Sequence, residues 1–373
     1  MEVPGLLLNC PYMKQDYVAG LLLWAFCFVL IETSVAQRAS SAPDSLKSTT
    51  AATGKDSPLF GSVNELAFTL TAADLRVLLK DRGDKPVTHV ASLTYVDARN
   101  QPVSLPLTLK VRGNFRRSRV NCSFPPLLID LPKKKAKKTL FAHQNKLKLV
   151  THCQVDEWVV REYLVYKLYN LLTDVSFRAQ LARVTYADSL GKVSSETHWA
   201  FLLEDDDDLA KRNGSKISNM KQISMSYTDS LRMATVAVFE YMIGNTDWSV
   251  PYLHNIRFLD NGKTSFVPVP YDFDHAGIVG ASYALPDPRL EIRSVKERIY
   301  RGLAYPTALF QQVFNTFNQV KPQVYAVYQN DSRLDKAYIK RTLKYLDEFY
   351  TLINKPASAQ TVFRANAQSA EVK

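Results

Sequence analysis

The sequence is short of features that would assign a function at once. Its four cysteines include no CxxC pair, which argues against a zinc framework built on thiolates. The basic runs at 112–119 and 132–138 are not accompanied by a zinc-finger or helix-turn-helix signature, and the sequence has no internal repeat. An uncharged apolar run at 18–31 has 14 residues, fewer than the roughly 20 that a membrane-spanning helix needs. These absences leave a chain of 373 residues, 46% of them hydrophobic, which can bury a sizeable core.

The N-terminal segment has the features of an export signal. Lys14 precedes the apolar run, and small residues follow the run at 34–36. We expect residues 1–36 to be a signal peptide, with Met13 as an alternative start. The alternative is that the segment is not cleaved and serves as an N-terminal membrane anchor. We expect membrane contact only in that case. The sequence therefore predicts a secreted, periplasmic or cell-surface protein.

Charge and the remaining cysteines restrict the partners. The leader carries one lysine and three acids, so the net charge rises from +11 to +13 when it is removed. A basic surface favours anionic partners such as nucleotide phosphates, acidic proteins, acidic glycans or a membrane face. Because an exported chain does not meet nucleic acid, we expect no nucleic-acid partner and interpret the lysine-rich run at 132–138 as a solvated loop, with docking of an acidic substrate as the alternative. Cys122 and Cys153 remain after the leader, and they either form one disulfide or stay as two buried thiols.

Hydrophobic periodicity divides the rest of the chain. We expect a flexible linker at 37–58, a strand-rich part at 59–204, a mainly helical part at 205–355 and a disordered tail at 356–373. Strands are predicted at 65–71, 88–96, 103–113, 127–130, 145–150, 182–188 and 198–204, and helices at 156–172, at 230–244 and in the last third. We interpret the acidic run at 204–208 as a solvated connector between the two parts. In a kinase, the backbone at about 202–204 would contact adenine. This order resembles that of a protein kinase, and the resemblance implies an α+β fold class with a two-lobed, protein-kinase-like fold.

The pattern that carries chemistry is a predicted hairpin. Residues 254–259 and 264–269 have the pattern of two strands, joined by a turn at 260–263. A hairpin brings its two ends together, so Asn255 near its start and Asp272 after its end can bind one cation. Their oxygen donors suit Mg²⁺ or Mn²⁺ better than zinc.

Two further acids stand beside this hairpin. Asp247 follows the end of a helix, where a base that accepts a hydroxyl proton could lie. Asp274 is two residues beyond Asp272 and would face the same side of an extended segment. The alternatives are that these acids are turn formers, or that residues 271–277 form a structural calcium site. His254 is interpreted as a packed residue and not as a catalyst.

Taken in order, these segments resemble the CotH family of spore-coat protein kinases, which are atypical members of the kinase-like fold. The resemblance runs over about residues 62–290 and is carried by LKVRGNFRR, VVREYLVYKL, the pair GNTDW and HNIRF, and PYDFDHAG. It implies an ATP-binding transferase that uses magnesium or manganese. Such a kinase would move the γ-phosphoryl group of ATP to Ser or Thr hydroxyls of a protein substrate, which we expect to be acidic or a surface or coat protein.

The resemblance also implies roles for individual residues. Asp247 would be the catalytic base, Asn255, Asp272 and Asp274 would be the metal ligands, and Arg112 and Gly113 would lie near the phosphates. Where the family has a lysine-rich stretch soon after its Arg-Gly element, this chain has CSFPPLLIDL. We therefore expect Lys148 to contact the nucleotide phosphates, with Lys146 behind it and Glu162 as its ion-pair partner.

Other functions remain open at this point. The spacing of eight from Asp247 to Asn255 is longer than in ordinary kinases, so Asn245 competes with Asn255 for the role of the amide ligand. If no lysine contacts the phosphates, the chain is a non-catalytic pseudokinase that acts as an extracellular assembly or binding protein. A metal-dependent hydrolase or a sugar kinase is the third alternative.

Overall fold

The alternating segments of the first half close into a β-barrel. The structure is a computed structural model, and it describes residues 57–61, 65–365 and 367. Within these residues the barrel has seven strands: β1 Leu66–Ala72, β2 His89–Val96, β3 Pro102–Val111, β4 Leu127–Asp130, β5 Lys146–Val150, β6 Ala179–Asp188 and β7 Glu196–Leu203. They are ordered β1-β2-β3-β4-β5-β7-β6, and the parallel pairing of β1 with β6 closes the ring. The predicted leader at 1–36, and the predicted linker up to residue 56, lie outside the described residues.

The barrel encloses its own core. Alternate residues of the strands point inward, so Leu70 of β1 stands opposite Leu93 of β2 on one side and Tyr186 of β6 on the other. All three side chains are buried. Three short helices accompany the strands: α1 Pro58–Gly61, α2 Leu75–Lys80 and α3 Lys133–Ala136. The strand predictions were therefore confirmed to within a few residues, because burial of one face imposes the alternation from which they were made.

The second half is mainly helical and contains one small sheet. Its helices, together with the long helix that joins β5 to β6, are α4 Asp156–Leu172, α5 Asp206–Arg212, α6 Ser230–Ile243, α7 Thr307–Gln329, α8 Lys336–Ile353 and α9 Pro356–Gln360, and α9 continues as a π-helix at Thr361–Ala365. The sheet consists of β8 Lys216–Ile217, β9 Ile256–Asp260 and β10 Val267–Pro270, in the order β10-β9-β8. The antiparallel pair β9–β10 is the hairpin predicted from the sequence. No helix in the described part of the chain combines the length and hydropathy that a membrane crossing requires.

The prediction of a two-lobed, protein-kinase-like fold is wrong. The strands close into a seven-stranded barrel, and the helices do not form a separate lobe. Leu181 of β6 and Phe201 of β7 belong to the same hydrophobic core as α4, α6, α7 and α8. The described residues accordingly belong to one compact unit. Alternation identifies the buried face of each strand, but it does not reveal that the first and sixth strands pair and close the sheet.

Helix α4 connects the barrel to the helical layer and is covered on nearly all sides. Its buried residues include Val160, Leu164 and Leu168, which were predicted as its apolar face, and also the opposite Val159 and Tyr166. One face of α4 contacts β7 and another contacts α7. An acid placed on such a helix lies inside the protein, and this is the position of Glu162.

Three smaller predictions are resolved by the structure. The two cysteines form a disulfide, Cys122–Cys153. The tail predicted to be disordered from 356 begins instead as α9 and the π-helix, where Phe363 is buried against Phe310 and Phe314. The linker predicted to end at 58 gives way to α1 at Pro58.

Candidate functional site

The loop after α6 holds Asp247 in place. Gly244 ends α6 in the left-handed conformation at φ 68°, and an added Cβ would clash with the Tyr345 hydroxyl, so only glycine fits here without a shift. The backbone N–H of Asn245 donates to the Glu240 carbonyl at 2.8 Å, and the Oδ1 of Asn245 accepts from the Asp247 N–H at 3.0 Å. The amide oxygen of Asn245 is thus used within the loop, which leaves Asn255 as the better amide ligand.

Asp247 is held by two neighbouring side chains. Its Oδ1 accepts a hydrogen bond from His254 Nε2 at 3.0 Å, and its Oδ2 accepts one from Asn255 Nδ2 at 3.1 Å. Asn255 Nδ2 also donates to the backbone carbonyl of Asp247 at 2.7 Å. The Asp247 side chain remains 38% exposed, so a substrate can reach it. The hydrogen bond to Asp247 raises the pKa of His254, which makes this histidine a cation over a wider pH range.

The ends of the hairpin meet as predicted. The Tyr271 N–H donates to the Asn255 carbonyl at 3.0 Å, and the Asp272 N–H donates to the Tyr166 hydroxyl at 2.9 Å. Asn255 and Asp272 both have left-handed backbones, at φ 53° and 63°. Asn and Asp tolerate this conformation better than most residues, so the two positions combine backbone fit with oxygen donors. Since Asn255 Nδ2 faces Asp247, its Oδ1 is the atom left to accept a cation.

Arg116 is the cation at the centre of the site, and the sequence analysis did not identify it. Its Nη2 lies 2.5 Å from Glu162 Oε2 and 3.7 Å from Asp272 Oδ1, and its Nε lies 2.8 Å from Asp274 Oδ2. Tyr283 donates to the same Asp274 oxygen at 3.0 Å. Asp272 and Asp274 both approach Arg116, but Asp272 has a left-handed backbone, so the segment is not extended as predicted. The only sequence signal for Arg116 was its place in the RGNFRR segment.

Three carboxyl groups surround one guanidinium, so ionisation of all three leaves an excess of negative charge. Burial, and then the charge of Asp274, raises the pKa of Asp272 even though its side chain is 47% exposed. Burial also raises the pKa of Glu162, to about 8, against the attraction of Arg116. At Asp274 burial is opposed by the charges of Arg116 and His275 and by the hydrogen bonds from Arg116 and Tyr283, which together lower the pKa. A divalent cation beside Asp272 would relieve this excess, so the donor set fits a hard cation bound by oxygen atoms.

Lys148 does not pair with Glu162, so that prediction is wrong. Its Nζ lies 2.5 Å from Asp206 Oδ1, and Arg257 binds the other oxygen of the same carboxylate at 2.8 Å. Burial lowers the pKa of Lys148 in spite of this partner. Lys148 on β5 meets Asp206 at the start of α5, whereas Glu162 on α4 pairs with Arg116. Lys146, predicted to stand behind Lys148, is exposed.

The acidic run at 204–208 is not a solvated connector throughout. Asp206 holds the two cations just described, and Glu204 is 3% exposed. Glu204 forms an ion pair with Arg212 at 2.9 Å and accepts the Arg178 N–H at 3.1 Å. These contacts hold the end of β7 against α5, so the start of the run is a packed part of the fold and not a solvated connector as predicted.

The Arg-Gly element lies at the end of β3. Arg112 is half-buried, and it is near enough to Asp272 and Lys148 for its positive charge to act on both. No ion-pair partner of Arg112 is found among the described residues. Gly113 has φ 84° and is exposed, and a chain in this conformation can approach a ligand closely. The structure thus brings together Arg112, Asp247, Asn255, Asp272 and Asp274, with Lys148 at one side and bound to a different acid.

Comparison with known proteins adds no relative. A scan against protein-family models found no match to this chain, and a search of the curated proteins found no similar sequence. The resemblance to the CotH family therefore stays a prediction, and the function has to be argued from the geometry of the site.

Proposed function

We propose that this protein is a metal-dependent phosphotransferase that moves the γ-phosphoryl group of ATP to a Ser or Thr hydroxyl of a protein. The observation that carries the proposal is the convergence of Asp247, Asn255 and Asp272 at the open end of one hairpin. Phosphoryl transfer requires a proton acceptor, oxygen ligands for a cation and a positive charge for the phosphates, and little else from the protein. Each of these groups has a counterpart in the site.

Asn255 and Asp272 are the residues that would hold the cation. The Oδ1 of Asn255 faces away from Asp247, and the Asp272 carboxylate is partly exposed. Asp274 adds negative charge, but Arg116 and Tyr283 occupy one of its oxygens, so its main role is to position Arg116. When bound, Mg²⁺ or Mn²⁺ would neutralise phosphate charge as it develops.

Asp247 is the residue that would accept the hydroxyl proton. Its carboxylate is held by His254 and Asn255 and is still accessible, so it can meet a substrate hydroxyl without rearrangement. Arg301 stabilises the loop that carries Asp247, because its guanidinium donates hydrogen bonds to the backbone carbonyls of Thr246 and Trp248 on either side of it. This anchoring keeps Asp247 directed toward the hairpin.

Arg112 replaces Lys148 as the cation proposed for the phosphates. Lys148 is already paired with Asp206, whereas Arg112 has no ion-pair partner among the described residues and its charge acts on Asp272, so its guanidinium fork can bind phosphate oxygens. The basic charge of the whole chain supports an acidic protein substrate. The Cys122–Cys153 bond supports action outside the reducing cytosol, and we propose a secreted, periplasmic or cell-surface location.

One observation favours a second candidate, a non-catalytic pseudokinase that serves as an assembly or binding protein. Arg116 already bridges Glu162 and Asp274 and reaches toward Asp272, so part of the charge that a cation would supply is in place. A site neutralised in this way can stabilise the fold without transferring a group.

The experiment is a labelling assay. Purified protein is incubated with γ-labelled ATP, Mn²⁺ or Mg²⁺ and an acidic test protein, and the label on each protein is measured. Wild type should transfer the label, and Asp247→Asn and Asp272→Asn should reduce the rate at least a hundredfold. Asn is suitable at both positions because it keeps the side-chain shape and, at Asp272, accepts the left-handed backbone.

The matched control is Asp84→Asn, the same chemical change on a fully exposed carboxylate. It should label as wild type does. Equal labelling by wild type and both site variants would refute the kinase proposal. ATP binding without transfer would favour the pseudokinase, and melting that depends on calcium but not on nucleotide would favour a structural calcium site.

A further inference from the structure

A second cluster of metal-ligand side chains lies where the barrel meets α4. His152 follows β5, Asp156 is the first residue of α4, and His198 is on β7. Their ligand atoms all lie within 4.8 Å of one another. None of the three belongs to the hairpin site, and the sequence analysis assigned no role to any of them.

His152 is the buried member, and one of its nitrogens has no partner. The residue is 5% exposed, and its Nδ1 makes no hydrogen bond to any described residue. A buried polar nitrogen without a partner destabilises a fold unless something binds it. An imidazole nitrogen is one of the ligands that zinc uses in proteins.

His198 and Asp156 supply the more accessible side of the cluster. The His198 ring stacks on the His152 ring with centroids 3.7 Å apart, and His198 Nδ1 lies 3.1 Å from Asp156 Oδ1. The other ring nitrogen of His198 lies 3.4 Å from Glu196 Oε2. The side chains of His198 and Asp156 are 28% and 30% exposed, so an ion can enter from this side.

The surroundings of the cluster are apolar and rigid. The ring of Phe124 lies 4.9 Å from His152, and Tyr186 packs behind both. Cys153, next to His152 in sequence, ties this segment to Cys122 through the disulfide. This shell orients the His152 ring and keeps water from its buried side, while His198 and Asp156 stay free to adjust on the exposed side.

We propose that His152, Asp156 and His198 bind one zinc ion, with water in the fourth position. Two imidazoles and a carboxylate are a donor set that zinc uses, and it differs from the oxygen donors of the hairpin site. Zinc bonds of about 2.0–2.1 Å require ligand atoms closer together than 4.8 Å, so the ligands close in when the ion binds. His198 can do this by rotating its partly exposed ring out of the stack on His152.

The bound ion would attach the N-terminal end of α4 to β7. Glu162 lies on the same helix, less than two turns further along, and it binds Arg116 of the hairpin site. Zinc would therefore stabilise the helix that carries one wall of that site without taking part in its chemistry. It follows that zinc binding and phosphoryl transfer can be tested separately.

The test uses the tag-free chain, because an affinity tag of histidines would bind the metal. Zinc affinity is measured by competition with a chromophoric chelator, and Co²⁺ is titrated to read the coordination from its visible absorption. The variant His198→Asn removes a partly exposed ligand and leaves the buried His152 in place. The matched control is His143→Asn, an exposed histidine at φ 69°, where Asn is also tolerated.

We expect one zinc per chain in wild type, in His143→Asn and in Asp272→Asn, and the absorption of a four-coordinate Co²⁺ complex. His198→Asn should bind zinc at least tenfold more weakly, while its circular dichroism stays that of wild type. If wild type binds no zinc at micromolar concentrations, or if His198→Asn binds it as tightly as wild type, the proposal is overturned. Loss of zinc in Asp272→Asn would place the ion in the hairpin site and would also overturn it.

Discussion

Glu240 provides a quantitative prediction, because it is an acid buried beneath the Asp247 loop. It lies in the last turn of α6, is 1% exposed, and neither carboxylate oxygen has a hydrogen-bond partner among the described residues. Burial raises its pKa from 4.5 to about 8, and the Asp247 charge adds to this, while the nearby Asn245 side chain opposes it. The folded protein should therefore keep Glu240 protonated at neutral pH.

The sign of the effect on stability follows from this shift. Above about pH 4.5 the unfolded chain releases the Glu240 proton, but the folded protein retains it until about pH 8. Rising pH therefore favours unfolding across this window, and the stability present below the lower value is lost. Each pH unit lowers the free energy of unfolding by about 1.4 kcal/mol, so the loss between about pH 5 and pH 7 is about 3 kcal/mol.

The perturbation is Glu240→Gln, which keeps the shape of the side chain and cannot ionise. We expect the free energy of unfolding of the variant to decline less with pH than that of wild type, by about 1.4 kcal/mol per unit between about pH 5 and pH 7. Urea denaturation followed by tryptophan fluorescence at several pH values measures the difference. The burial of an amide changes the absolute stability of the variant, but this offset does not depend on pH.

Glu348→Gln is the matched control, since Glu348 is on α8 and its side chain is 57% exposed. Its pH dependence should equal that of wild type. Glu162, whose pKa is also raised, contributes equally to wild type and to Glu240→Gln and so cancels from the comparison. Parallel curves for wild type and Glu240→Gln would refute the reasoning that the folded state holds a proton on Glu240.

Two further changes test the supports of the site. Replacing Cys122 and Cys153 with serine opens a loop of sequence separation 31 and should lower the free energy of unfolding by about 3–4 kcal/mol, as measured in urea; no change would mean that the bond does not constrain the unfolded chain. Gly244→Ala should lower the free energy of unfolding by about 1–3 kcal/mol, because the residue has φ 68° and the added methyl group meets the Tyr345 hydroxyl. The same change should slow phosphoryl transfer by displacing Asp247. Thermal melting and the labelling assay check this second change, and Gly262→Ala is its control, since it has φ 76° but open space around it and lies far along the hairpin.

Local elements could be predicted from the sequence, but the closure of the sheet could not. Strand alternation and the apolar face of α4 follow from burial of one side, and these predictions were correct. The pairing of Phe68 on β1 with Val184 on β6 joins residues more than a hundred positions apart. Many strand orders would satisfy the same alternation, so the closed barrel replaced the predicted two-lobed fold.

The candidate site was predictable where it depends on the hairpin. Asn255 and Asp272 meet because β9 and β10 pair, and the hairpin pattern alone required this. The basic side chain that pairs with Glu162 was not predictable, because it depends on which loop of the barrel lies against α4. The loop after β3 brings Arg116, and not Lys148, to Glu162. His152 and His198 likewise come together because β5 pairs with β7. No local pattern in the sequence predicts this contact.

Mn²⁺ binding, measured by electron paramagnetic resonance in the presence of ATP and saturating Zn²⁺, shows whether the two ends of the hairpin hold one cation. We expect one Mn²⁺ per chain for wild type and for Asp84→Asn, and at least tenfold weaker binding for Asp272→Asn. The same spectra should show that Asn255→Ala also weakens binding, because Asn255 supplies the second protein ligand. If Asp272→Asn and Asn255→Ala bind Mn²⁺ as tightly as wild type, the two ends of the hairpin do not form the metal site, and the account is contradicted.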